Sequence, residues 1–213
     1  RLQLIDPYEI EWEREQKLRE AEQAAGDLPR VVLLTFRGEI ELELFENEAP
    51  NTVANFIVLV EEGFYDGLAF HEVTSRFAAQ AGCPLGDGSG SPGHFIRHEF
   101  DSPDRRIHFR GSLTTLSEGR VANGSQFYLT FLPTPQLEGQ STVFGRVVRG
   151  MDVLAKLQRR GTDAMSAVTS PDRIVSAQVL RKRSHTYEPD RIPDPTAKQR
   201  EENAKGAVTL ATR

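Results

Sequence analysis

The chain has 213 residues, with 26 Lys and Arg against 31 Asp and Glu for a formal charge of −5, and 38% of it is hydrophobic. That suits one domain with extensions or two small ones, while the longest apolar run, residues 56–60, falls far short of the roughly 18 residues of a membrane span, and the mildly acidic balance speaks against nucleic acid, whose phosphates need a basic stripe. The lone Cys83 excludes an intramolecular disulfide and a cysteine-rich zinc module, and Arg1 in place of a methionine reads as a processing boundary, which leaves a removed signal and the compartment open.

Residues 1–29 read as a helical extension. Asp6 suits a cap, Pro7 the first helical position and Glu9 a capping-box partner, so the helix should run from about Pro7 to Ala25. Tyr8, Trp12 and Leu18 are nearly its only large apolar side chains among Glu, Lys and Arg, the pattern of a surface helix docked by Trp12. A partner-binding helix is the sharper alternative. From Arg30 the period becomes two: Val31, Leu33 and their neighbours form a strand, Arg37-Gly38 turns, and Ile40, Leu42 and Leu44 alternate with Glu39, Glu41 and Glu43. This predicts a hairpin with one wet face.

Pro50 then opens an amphipathic helix with Val53, Phe56, Ile57 and Val60 on one face, closed by Gly63. Strand-like runs follow at 68–74, 77–81, 113–116, 126–131 and 142–148, separated by Gly, Pro and Asp turns, with residues 86–93 reading as a flexible loop. Met151, Leu154 and Leu157 predict a short helix ending at Gly161, and residues 174–180 a last strand. Many short strands with few helices suggest a closed barrel over residues 30–183. Residues 184–213 carry Pro189, Pro193 and Pro195 among charges and lack apolar periodicity until Val208 and Leu210, so they read as an extended tail. If ordered, that tail must lie against the barrel, the N-terminal helix or another chain.

Six segments share one pattern: Pro50-Asn51-Thr52-Val53-Ala54-Asn55-Phe56, Gly63-Phe64-Tyr65-Asp66-Gly67, Phe70-His71, Phe77 with Gln80, Asn123-Gly124-Ser125-Gln126-Phe127 and Val143-Phe144-Gly145-Arg146-Val147. The chain resembles the bacterial-type cyclophilins, a family of peptidyl-prolyl isomerases. The resemblance implies a mainly β fold, a closed eight-stranded antiparallel barrel capped by two helices, here with an added N-terminal helix and C-terminal tail. It implies no cofactor, proline-containing segments as partners, and neither membrane nor nucleic acid. Self-association through the helix or the tail stays open.

Isomerisation breaks no bond but twists an amide whose resonance sets a barrier of about 18–20 kcal/mol. A catalyst can grip the proline ring, hold the flanking backbone and donate a hydrogen bond to the prolyl nitrogen as resonance is lost. By resemblance, Phe77 is the aromatic floor, Gln80 and Gln126 supply amides, Tyr128 stands where phenylalanine is usual, Leu137 is an apolar wall, and Leu116-Ser117 replaces an Ala-Asn pair whose asparagine backbone holds the peptide. The departures are larger. Glu72 stands at the family's catalytic arginine, and an ionised carboxylate accepts hydrogen bonds without donating them. Ala78, Gln136 and Ser141 replace the family's usual methionine, tryptophan and histidine. The expected activity is therefore weakened isomerisation, with Arg76, Arg120 or Arg146 as candidate substitute donors. The alternative is a degenerate proline-peptide-binding or scaffold module that works through its extensions.

Glu72, Glu118 and Glu138 near the mapped groove also suggest a preference for basic peptides. His94 and His98, at His-x3-His spacing, together with His108 and Cys83 suggest a metal, but they sit beside a Gly-Pro loop with no helix signal, and Cys83 fills a position usually acidic in bacterial-type relatives. His71 reads as structural, since isomerisation transfers no proton. Residues 86–90 lack the Lys-Ser/Thr ending of a phosphate loop, and Ser125 has no base placed to activate it.

Overall fold

The computed structural model describes residues 7–161 and 170–199. The Asp6 cap and the pair Val208 and Leu210 lie outside them. Helix α1 (Pro7–Ala25) has the predicted bounds. Strands β1 (Arg30–Thr35) and β2 (Gly38–Leu44) form the hairpin, with Val31 opposite Leu42 and Leu33 opposite Ile40, all four fully buried. Helix α2 (Pro50–Glu61) buries Val53, Phe56, Ile57 and Val60 against the sheet, and Phe56 packs its ring on Tyr65, Phe127 and Phe144. Ala49 at its N-cap offers no side-chain acceptor. The Glu99 carboxylate takes that role from afar, accepting the Asn51 and Thr52 N–H groups at 3.0 and 2.8 Å.

The remaining elements are β3 (Glu72–Val73), β4 (Ala78–Ala81), β5 (His94–Ile96), β6 (Ser112–Glu118), β7 (Val121–Thr130), a 3-10 turn (Pro135–Leu137), β8 (Val143–Arg149), α3 (Met151–Lys156), β9 (Ile174–Arg181) and β10 (Ile192–Pro193). They make one antiparallel sheet in the order β10-β5-β7-β6-β8-β2-β1-β9, with β4 joining β7 to β3. The fold is mainly β, a curled sheet with helices. Backbone bonds from Gly67 to Ile174 and from Phe70 to Asp172 hold the start of β9 beside the segment that leads into β3. The count is ten described strands rather than eight, because β5 and β10 are too short to show any period. α3 stops at Lys156, since Leu157 turns to an extended ψ of 136°. Among the described residues no helix is long and apolar enough to cross a membrane.

The tail from 184 to 199 lies against the rest of the fold. Tyr187 donates its hydroxyl to Glu46, Asn51 and Asp190 exchange hydrogen bonds, β10 pairs with β5, and the buried Asp194 accepts the Ser91 hydroxyl at 2.6 Å. The loop at 86–93 is tied as well: Cys83 Sγ accepts the Gly88 and Gly90 N–H groups.

α1 docks less by Trp12 than by charge. Trp12 and Tyr8 pack edge-on against Phe109, and Tyr8 donates to the His108 carbonyl at 2.8 Å. The residue α1 buries most deeply is Glu15, 5% exposed. Arg106, with a side chain 1% exposed, binds Glu15 at 2.9 and 3.0 Å and also Glu22 and Glu48, while its guanidinium stacks 3.8 Å from the Phe45 ring centre. Arg146 links Glu22 of α1 to Glu43 of β2, so the hairpin face expected to be wet is roofed at its far end and Glu43 is buried.

Burial pushes the Glu15 carboxyl up, but Arg106 and then Arg19 outweigh it and hold it below the ordinary carboxylate range. A carboxyl lowered by docking stabilises the docked state above its free value and loses that contribution as pH falls through the docked value. Docking of α1 is expected to hold between roughly pH 6 and 8 and to weaken below about pH 4. Trp12, the single tryptophan, is the reporter: its emission should shift to the red on acidification before the sheet unfolds. Emission constant down to the pH at which the sheet itself unfolds would contradict this.

Candidate functional site

The antiparallel register aligns one row of side chains across four strands. Glu72 lies opposite Gln80, Gln80 opposite Tyr128, and Tyr128 opposite Thr114. Direct cross-strand partners point to the same face with their Cβ atoms roughly 5 Å apart. Phe77, just before β4, sets its ring 5.8 Å from that of Tyr128. The resemblance-derived residues Phe77, Gln80, Glu72 and Tyr128 thus come together.

Gln126 joins them through a bulge. β6 and β7 pair regularly to Thr115 opposite Phe127, and pairing resumes only at Ser117 opposite Ala122, so residues 123–126 loop out against Leu116. Asn123 Oδ1 holds the loop by accepting the N–H groups of Ser125 and Gln126 at 3.1 and 3.0 Å. Gly124 is required there, because a Cβ would sit 2.4 Å from the His94 carbonyl oxygen. The loop delivers Gln126, 2% exposed, to accept a hydrogen bond from Gln80 Nε2 at 3.0 Å and to donate to the Gly88 and Gly90 carbonyls at 2.9 and 2.8 Å. Leu116 and Ser117 are half-buried on β6 beside the bulge. Leu137 is half-buried on the 3-10 turn, whose exposed neighbour Gln136 accepts from the Gln140 amide at 3.1 Å.

The turn is held by a residue whose role the sequence reading missed. His108, 1% exposed, gives its backbone N–H to Glu138 at 2.8 Å, sets Nδ1 2.9 Å from the same carboxylate, and places Nε2 3.0 Å from Thr114 Oγ1. It thereby connects the Leu137 turn to the Glu72–Thr114 row. Its backbone carbonyl also takes the Tyr8 hydroxyl of α1. Glu138 follows Leu137 directly, but nothing in sequence pairs it with a histidine 30 residues earlier.

Burial dominates the titration of the groups beside Glu72, and for Tyr128 the Glu72 charge adds to it. Burial, and after it the Glu72 charge, pushes the Tyr128 phenol up to about 12, so it stays a neutral donor. Burial holds the neighbouring His71 below the ordinary imidazole value, consistent with a neutral structural side chain. Glu72 accepts the Thr74 hydroxyl at 3.0 Å. Of the candidate substitute donors, Arg146 is committed to the α1 network. Arg76 is exposed at the β3–β4 hairpin with φ +62°, and Arg120 is exposed at the β6–β7 turn. Ser141 is 3% exposed and gives its N–H to the Leu137 carbonyl, so it lies behind the turn.

The four metal candidates are dispersed. His94 Nε2 meets Asn55 Oδ1 at 2.8 Å, and burial followed by the Arg191 charge lowers it to about 4. His108 and Cys83 have the partners given above, and His98 stacks on Phe100. Among the described residues no three His, Cys, Asp or Glu side chains gather as a metal set would.

Residues 30–179 match the family model described as "Cyclophilin type peptidyl-prolyl cis-trans isomerase/CLD". A Helicobacter pylori peptidyl-prolyl cis-trans isomerase is 47% identical over 128 residues, 59% of this chain and 77% of that protein. Peptidyl-prolyl cis-trans isomerase B of Bacillus subtilis is 44% identical over 136 residues, 64% of this chain and 93% of that protein. Among solved structures, a Cryptosporidium parvum cyclophilin-type isomerase superposes with a TM-score of 0.65 at 28% identity, covering 73% of this chain and 99% of its own. The same parasite protein in the presence of the dipeptide Ala-Pro gives 0.64.

Proposed function

Because this chain belongs to the cyclophilin-type peptidyl-prolyl cis-trans isomerases, we propose that the face carrying Phe77, Gln80, Gln126 and Tyr128 holds proline-containing segments and isomerises their X-Pro bonds slowly. The observation that carries this reading is the row Glu72–Gln80–Tyr128 with Phe77 beside it. It keeps an aromatic floor and an anchored amide while presenting a carboxylate where the family uses an arginine. Phe77 and Tyr128 offer the ring an apolar seat, Leu137 a side wall, and the Leu116-Ser117 backbone a rail for the flanking peptide. These groups position the amide, and positioning alone lowers a barrier. Glu72 offers the prolyl nitrogen no cationic donor, so turnover is slower than in a relative with an arginine there. The structure with Ala-Pro supports the substrate class.

A second reading rests on Glu72 itself: the barrel as a binding module whose α1 and tail meet a partner or a second copy. Exchange measurements by NMR on a panel of short X-Pro peptides separate the two. Exchange above the uncatalysed rate is the expected result. Peptide shifts without added exchange would leave a binding module, and no response from any peptide would remove both groove readings.

A further inference from the structure

Resting on that reading of the groove, we infer that it selects proline segments carrying lysine or arginine next to the proline. The basis is the state of Glu72. Other carboxylates around the sheet are already paired: Glu15, Glu22 and Glu48 with Arg106, Glu43 with Arg30 and Arg146, Glu41 with Arg30 and Arg149. Two acids near the groove are also engaged. Glu138 accepts from His108, and Glu118 accepts the Asn123 amide at 3.3 Å. Glu72 has only the neutral Thr74 hydroxyl, and among the described residues no cationic nitrogen lies within 4 Å of its carboxylate.

Its surroundings suit a long cationic side chain. Glu72 shares a face with Gln80 and Tyr128, and the Phe77–Tyr128 ring pair begins beside it. A lysine or arginine lays its methylenes on aromatic rings and carries its charge to the end of the stem. A residue flanking a proline seated on Phe77 would thus set its stem on Tyr128 and its head at Glu72. Gln80 donates to Gln126, and Gln126 donates to the Gly88 and Gly90 carbonyls rather than to that carboxylate. Glu72 is half-buried as a residue, but its carboxylate bond to Thr74 is exposed, so the pair would be weakened by salt as a surface bridge is. An acidic residue in the same place would face the carboxylate directly and be rejected.

The test compares three peptides that differ only in the residue next to proline, Lys, Gln or Glu, by NMR titration of the full chain at low salt. The Lys peptide should bind about fivefold to tenfold more tightly than the Glu peptide, with Gln between. The ratio should fall towards one in roughly 0.5 M salt and in Glu72→Gln. Equal affinities, or a preference that survives Glu72→Gln, would overturn the inference. So would equal binding by a Lys peptide with alanine in place of proline, since the cation would then be held apart from a proline site. Binding by all three peptides without discrimination sinks only the charge preference. Binding by none removes the groove reading, and the preference with it.

Discussion

Glu72→Arg is expected to raise the rate of X-Pro exchange by about two orders of magnitude. Deleting one transition-state donor costs about 2.7–4 kcal/mol, a hundred- to thousandfold in rate. Restoring it should recover the lower part of that range, because the rest of the site departs from the family too. Ala78 is buried where a methionine would fill the floor, and Gln136 is exposed on its turn where an indole would add a wall. The arginine would occupy the end of the row opposite Gln80, two strands from Tyr128, with Phe77 unchanged. Glu72→Gln is the control: it removes the charge and supplies a neutral amide donor, so its gain should be smaller. NMR exchange on one Ala-Pro peptide ranks the three proteins. No gain with arginine would mean that Ala78 and Gln136 have opened the pocket too far for a donor to matter.

The largest stability effect should come from Arg106→Met. This guanidinium is enclosed by Glu15 and Glu22 of α1, by Glu48 and by the Phe45 ring. Removing one partner of a buried ionic cluster costs about 3–5 kcal/mol, because the carboxylates left behind are dehydrated and uncompensated. Arg146 still reaches Glu22 and Glu43, but it cannot also serve Glu48. The carboxylates can escape the penalty locally, since Glu15 and Glu22 regain water when α1 leaves its seat. The expected outcome is therefore release of α1 rather than collapse of the sheet: Trp12 emission moves to the red, limited proteolysis trims the chain within α1, and the remaining sheet still unfolds cooperatively. A protease-resistant variant with unchanged Trp12 emission would show that Tyr8 and Trp12 on Phe109 suffice to seat the helix.

α1 shows what is legible in a sequence of this kind. Its bounds follow from Pro7 and a run of helix formers, which are local signals. Its seat does not, because Glu15 and Arg106 are 91 positions apart and an amphipathic analysis looks for apolar stripes rather than a buried glutamate. The β1–β2 hairpin and α2 are legible for the same local reason: periods of two and 3.6 written in Val, Leu, Ile and Phe. At the site, Phe77, Gln80, Gln126 and Tyr128 are legible from motif order, and register explains why they meet. The bulge that turns Gln126 inward depends on the Asn123 side chain folding over its own loop, and the hold of His108 on the Leu137 turn depends on Glu138. β5 and β10, three and two residues long, carry no period, and Pro193 argues against a strand.

That proline also limits how far the sheet can grow. An uncovered sheet edge offers a row of free N–H and C=O groups on which another chain can zip. Here the outermost strand beyond β5 is β10, where Ile192 meets Phe95 and Pro193 meets His94. Half of its residues have no N–H to donate, and it is too short to template a neighbour. The tail segment that carries β10 thus blunts one edge of the sheet against lateral aggregation, a protection the domain would lose if it were trimmed to its enzymatic core.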